Sequence, residues 1–216
     1  SCEPPRTRIA VEEGRVRLRR LADGASTEVA RGETATATLE SSVPLESRAA
    51  LPLPLSWRET FEHPPVGAWK GEWQGQDSQG PSRLRNVLDV SYRRRDGTVV
   101  PAYVVSLGNP SQPLCRVRPE SVLRLRYRLE RPHGLIILVS VQHPEGRFAG
   151  NFQVDLGPDA APSDPDGWKT FRAPLSSLSG RFPEGIRFPP AGRLTLLFVA
   201  CYSPEARLEV AEAALE

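Results

Sequence analysis

Short strand-like runs, separated by loops of Gly, Pro, Asp and Ser, constrain this chain more than any other feature because they leave no span for a long helix. From Trp57 to Glu216 these runs are Trp57–Phe61, Arg85–Tyr92, Val99–Ser106, Val122–Leu129, Leu135–Val141, Asn151–Leu156, Trp168–Ala173, Arg193–Tyr202 and Leu208–Ala213. No segment carries a sustained helical period with caps. In Leu123-Arg124-Leu125-Arg126-Tyr127-Arg128-Leu129 the apolar side chains share one face and the arginines the other, as in a strand half inside a core. The run Leu135-Ile136-Ile137-Leu138-Val139 reads instead as a strand buried on both faces. Eight or nine such strands predict an all-β fold of two packed antiparallel sheets, a jelly-roll β-sandwich.

The organisation divides into three blocks. Residues 1–39 hold the short strands Ile9–Val11, Val16–Leu18, Thr27–Ala30 and Thr34–Leu39, with the hairpin signal Ala22-Asp23-Gly24 between the second and third. This block has few large apolar residues with which to build a core. Residues 40–55 carry Pro44, Pro52 and Pro54 and no sustained period, so they read as a Pro-rich linker. Residues 56–216 form the sandwich.

Charge excludes some partners. The formal net charge of +2 gives little general attraction to nucleic acid. Of the 28 basic residues all but Lys70 and Lys169 are arginine, and many alternate with apolar positions, which places them on solvated strand faces. No apolar run approaches the roughly 18 residues needed to span a bilayer as a helix. The three cysteines allow one Cys115–Cys201 disulfide in an oxidising compartment, or free thiols behaving as small hydrophobes. The chain starts at Ser1-Cys2 without an initiator methionine, which implies processing or trimming, and Cys2 would suit a lipid-attachment cysteine.

Three of the four tryptophans, Trp57, Trp69 and Trp73, fall close together. Trp69 and Trp73 sit among glycines and polar residues, where a flat ring can stack on the apolar face of a pyranose while Glu72, Gln74 and Asp77 take its hydroxyls. The competing reading has both rings in the core; Trp57 and Trp168 read as core side chains.

Two resemblances extend this reading. The arrangement Trp168-x-x-Phe171-x-x-Pro174-Leu175 resembles a late strand of galactose-binding-like and carbohydrate-binding β-sandwich modules. That resemblance implies a glycan ligand, and a structural calcium linking the first and last strands, for which Glu62 and Glu212 are the matching carboxylates. The phrases Val11-Glu12-Glu13-Gly14-Arg15-Val16, Ala22-Asp23-Gly24 and Arg31-Gly32-Glu33-Thr34-Ala35 resemble the end of a FecR-type domain. This second resemblance implies a fragment of an exported bacterial envelope protein, at the periplasm or cell surface, with an envelope protein partner.

Enzyme signatures are lacking. His63, His133 and His143 are isolated, with no partner at metal-ligand spacing. There is no Gly-x-Ser-x-Gly elbow, no phosphate-binding loop and no paired-carboxylate strand for glycoside hydrolysis. The expectation is a non-catalytic carbohydrate-binding-like module; the alternative is a structural or protein-interaction domain of envelope signalling.

Overall fold

A computed structural model describes residues 6–11, 14–38, 44–49, 53–90, 98–99, 101–109, 113–130, 134–157, 160–203 and 206–216. Cys2, Tyr92 and His133 lie outside the described residues. The chain divides into two compact units, Ser1–Pro52 and Leu53–Glu216.

The N-terminal unit contains β1 (Arg6–Val11), β2 (Arg15–Arg19), β3 (Ser26–Ala30), β4 (Glu33–Thr38) and β5 (Ser47–Ala49). β1, β4 and β5 form one antiparallel sheet, and β2 and β3 form a hairpin. The expected Asp-Gly turn closes that hairpin. Gly24 takes φ +74°, and the Asp23 carboxylate accepts hydrogen bonds from the Ala25 amide and the Arg20 guanidinium. The core is small: Val11, Val29 and Ala35, with Ile9 and Leu18 packed against them. β5 comes from the stretch read as a linker.

The C-terminal unit contains β6 (Trp57–Glu59), β7 (Trp69–Lys70), β8 (Glu72–Gln74), β9 (Arg83–Arg85), β10 (Val87–Asp89), β11 (Ala102–Leu107), β12 (Cys115–Val117), β13 (Val122–Glu130), β14 (Leu135–Gln142), β15 (Phe148–Leu156), β16 (Lys169–Pro174), β17 (Ser179–Phe182), β18 (Gly192–Cys201) and β19 (Arg207–Leu215). An eight-stranded sheet runs β10-β11-β18-β14-β15-β17, with β7 on β11 and β12 on β18; a six-stranded sheet runs β16-β13-β19-β9-β8, with β6 on β19. All pairings are antiparallel. The inner faces interdigitate through Leu123, Leu125 and Tyr127 from one sheet and Ile137, Val139, Phe152, Leu197 and Val199 from the other. The all-β sandwich expected from the strand pattern is the fold observed. Its only helical turn among the described residues is the 3₁₀ segment Leu175–Ser177, and no helix is long and apolar enough to cross a membrane.

Several local expectations change. The run 85–92 is not one strand: Asn86 breaks it, with β9 in the six-stranded sheet and β10 in the eight-stranded one. The break is clamped, because the Asn86 side-chain N–H donates to the Ala206 carbonyl at 3.1 Å and its side-chain oxygen accepts from the Leu208 amide at 3.1 Å. β14 alternates, with Leu135, Ile137, Val139 and Val141 in the core and Ile136, Leu138, Ser140 and Gln142 half-buried on the opposite face. Trp168 is buried, as expected, but outside the sandwich core. It continues the outward parity of β16, under the guanidinium groups of Arg126 and Arg128, 5.5 and 5.0 Å from its ring centroid, and against Gly80.

Both described cysteines are free and buried. Cys115 pairs with Leu194, seven positions from Cys201 on the same strand, which at strand rise is roughly 23 Å and far beyond disulfide reach.

Candidate functional site

The segment Trp69–Asp77 crosses between the sheets. Gly71, at φ +150°, is the crossing point; a Cβ there would lie 3.1 Å from the Arg85 carbonyl. β7 therefore leaves Trp69 at the edge of the eight-stranded sheet, 36% exposed, whereas β8 places Trp73 opposite Leu84 in the other sheet. Trp73 is half-buried against the core. Its indole N–H donates to the Phe61 carbonyl at 2.9 Å. Phe61 is fully buried with φ +58°, a left-handed conformation that costs a bulky side chain on the order of 1–2 kcal/mol. The bond from Trp73, with the Phe61 amide on the Glu59 carboxylate at 3.1 Å, holds that conformation.

The polar residues of the segment face arginines. Gln74 accepts from Arg85 at 3.1 Å, Glu72 lies 3.8 Å from Arg85, and Asp77 takes a two-point bond from Arg83 at 3.0 and 3.1 Å. The two rings and three polar side chains do not share one surface.

These contacts belong to a charge network on the outer face of the six-stranded sheet. Glu209, 1% exposed, sits among Arg128 at 2.5 Å, Arg83 and Arg207 at 3.2 Å and Arg85 at 3.6 Å. Burial pushes the Glu209 carboxyl up, but the hydrogen bond and charge of Arg128, followed by Arg83, outweigh it and hold the group below its ordinary value. The Arg83 hydrogen bond likewise holds Asp77 low. Asp164 is held low against its own burial by the Trp168 amide and by Arg126.

Glu212 is bracketed by Arg58 at 3.0 Å and Arg124 at 2.8 Å, while Glu62 is exposed. A carboxylate between two guanidinium groups does not fit a calcium ligand, which needs several gathered oxygens. Among the described residues no group of three or more His, Cys, Asp or Glu side chains could hold a metal.

The outer face of the eight-stranded sheet has a different character. Strand register lines its side chains into cross-strand rows. Asp155, Ile136, Ala200, Val104 and Val87 make one row; Gln153, Leu138, Phe198, Ser106 and Lys70 the next. Phe182, Asn151, Ser140 and Leu196 make a third, and Phe148, Gln142 and Arg193 a fourth. Hydrogen-bonding groups, all uncharged but Asp155, thus cluster on β14 and β15, coupled by a Ser140–Asn151 bond of 2.6 Å and a Gln153–Asp155 bond of 2.5 Å.

Exposed aromatic rings stand at both ends of this cluster. Phe148 (46% exposed) and Phe182 (65%) lie with ring centroids 6.2 Å apart at one end. Tyr202 (47%) is at the other, where it lines an open depression of about 380 Å³ with Ile136, Asp155 and Ser203. Phe148 and Asp155 are seven residues apart on β15, roughly 23 Å at strand rise.

Sequence reasoning missed this face. Its signal was the alternation Asn151-x-Gln153-x-Asp155 beside Leu196-x-Phe198-x-Ala200-x-Tyr202, visible only once the two runs are known to flank β14.

No family model matches the chain, and no curated protein does. Among solved structures it is similar to a family 11 carbohydrate-binding module from Clostridium thermocellum in complex with a β-1,3-1,4-mixed-linked tetrasaccharide, at 12% identity and TM-score 0.45, covering 75% of this chain and 95% of that one. A family 30 carbohydrate-binding module aligns at 15% identity and TM-score 0.41, covering 76% and 92%. The catalytic unit of a GH87 α-1,3-glucanase from Streptomyces thermodiastaticus aligns at 15% identity and TM-score 0.35, covering 77% and 27%. At such identities and TM-scores none of them bears on what this chain binds.

Proposed function

We propose that the C-terminal unit is a non-catalytic glycan-binding module whose ligand lies along β14 and β15 on the outer face of the eight-stranded sheet. The observation that carries this reading is the placement of exposed aromatic rings, Phe148 and Phe182 at one end and Tyr202 at the other, around a patch of amide and hydroxyl side chains. A saccharide is amphipathic in the same way: its ring face is apolar and its rim is a set of hydroxyls. Asp155, which lines the depression with Tyr202, supplies carboxylate acceptors there, and Gln153 donates to it from the same strand.

Export to the periplasm or cell surface, and a FecR-like N-terminal unit contacting an envelope partner, belong to the same proposal and are tested by locating the full-length protein in fractionated cells. A glycan array tests the binding itself. Binding that falls at least tenfold in Tyr202→Ala or Phe182→Ala supports the assigned face. A loss seen in Trp69→Ala and absent from those two variants moves the ligand to the Trp69–Asp77 segment, with Trp73, Glu72 and Gln74 behind it. No binding to any glycan by the wild type leaves the structural or protein-interaction alternative.

A further inference from the structure

We propose that the C-terminal unit carries a second ligand site, separate from the outer face, where a cavity of about 340 Å³ between the two sheets takes one neutral sugar ring. The cavity forms where the ladder between β13 and β16 runs out. Tyr127 opposite Lys169 is its last rung, and β13 continues to Glu130 without β16 beside it. There the inner faces part: Tyr127 and Leu129 are walls from the six-stranded sheet, and Leu135 is a wall from the eight-stranded one. Ser163 stands at the rim, joined to Lys169 by an isolated bridge. Its loop is pinned by Asp164, whose carboxylate accepts from the Trp168 amide at 2.8 Å and the Asp166 amide at 3.1 Å, so the rim is preformed.

The Tyr127 phenol marks the site. Its side chain is 2% exposed, and burial alone pushes its pKa above the ordinary value. The hydroxyl makes no hydrogen bond among the described residues, yet its oxygen is not sealed in the core; the opening it meets is the cavity that Tyr127 lines. Such a group is costly to bury, because folding strips its water without returning a partner. The Ser163 hydroxyl is likewise without a partner among the described residues. Charge decides the ligand class. Arg128 pairs with Glu209, Glu130 pairs with Arg207 at 3.7 Å, and Lys169 is engaged as well. Among the described lining residues no charged side chain is left for an ion, so two hydroxyls and two leucines do the recognition. A pyranose offers the matching surfaces, hydroxyls on its rim and C–H groups on its face. The volume, near the lower end for small-molecule sites, suits a single ring and not a chain.

The test is saturation-transfer NMR and calorimetry of the full chain with D-glucose, D-galactose, D-mannose and D-xylose, and with D-glucuronate and D-glucosamine as charged counterparts. Expected are binding of at least one neutral sugar, about tenfold weaker binding in Tyr127→Phe and about threefold weaker binding in Ser163→Ala. Tyr127→Phe keeps the ring, so the ligand-free variant melts no lower than the wild type. A lowered melting temperature would mean that the hydroxyl already has a partner, and it overturns the inference. Tighter binding of a charged sugar than of every neutral one overturns the neutral assignment. Sugar binding that Tyr127→Phe leaves unchanged, or that Tyr202→Ala abolishes instead, puts the ligand elsewhere and overturns the inference too. No binding of any monosaccharide overturns the second site and leaves the outer-face reading standing, since that one is decided on the glycan array.

Discussion

Replacing Glu209 with Gln removes the one carboxylate that four arginines share, with little change in shape. Three of those arginines, Arg85, Arg128 and Arg207, are partly exposed and can turn their charge to water; Arg83, 1% exposed, cannot. Stripping one partner from a buried ion pair costs about 3–5 kcal/mol. Arg83 keeps its two bonds to Asp77 and one to the Pro81 carbonyl at 3.0 Å, so the low end, about 3 kcal/mol, is expected. With a urea m-value of about 2 kcal/mol/M, the midpoint falls by roughly 1.5 M.

All four tryptophans lie between residues 57 and 168, so intrinsic fluorescence reports the C-terminal unit without interference from the N-terminal one. The folded Glu209 carboxyl is held low, so its contribution is complete above the unfolded value of about 4.3 and is lost as pH falls through the lower folded value. The gap between wild type and variant therefore closes in acid. A neutral-pH difference under about 0.5 kcal/mol, or a gap that acid leaves untouched, would refute the claim that Glu209 neutralises Arg83.

Other positions separate roles as sharply. Trp73→Phe removes the donor to the Phe61 carbonyl and costs about 1–3 kcal/mol by urea unfolding, whereas Trp69→Phe at the exposed sheet edge stays within about 0.5 kcal/mol. Burial pushes the Cys115 thiol up to about 12 and the Cys201 thiol up to about 11, so a Cys2→Ser variant shows no reaction with a thiol reagent at mildly alkaline pH until denaturant is added. Fast labelling in buffer would show that the core around them opens readily. Gly108→Ala places a Cβ 2.4 Å from the Thr195 carbonyl at φ +86°, and a lowered melting temperature together with poor soluble yield is the expected outcome.

The fold was legible because the long strands announce themselves. Leu123 to Leu129 alternates apolar with arginine, and in the structure Leu123, Leu125 and Tyr127 are buried between half-buried arginines, with Leu129 half-buried against the core. Short strands gave no such signal: β7, β8 and β12 span two or three residues, too few for a period, and exist because longer neighbours pair with them. The aromatic readings show the limit on sites. Trp168 is buried, but it precedes β16, whose pairing with β13 sets a parity that turns it outward under Arg126 and Arg128, and nothing local distinguishes that from a core tryptophan. Tyr202 and Phe182 carry no local signal of a site, since their common face depends on which strands become neighbours across 20 residues of sequence.

The pairing of β6 with β19 has a mechanical meaning. Trp57 stands opposite Leu215 and Glu59 opposite Ala213, so the entry of the first strand and the exit of the last meet at the same end of one ladder. Tension applied between those two points loads the rungs one after another and peels β6 away like a zipper, where a shear geometry would load them all at once. The module should yield at low force, with Trp57 drawn from its place against the core in the first step and the eight-stranded sheet still intact.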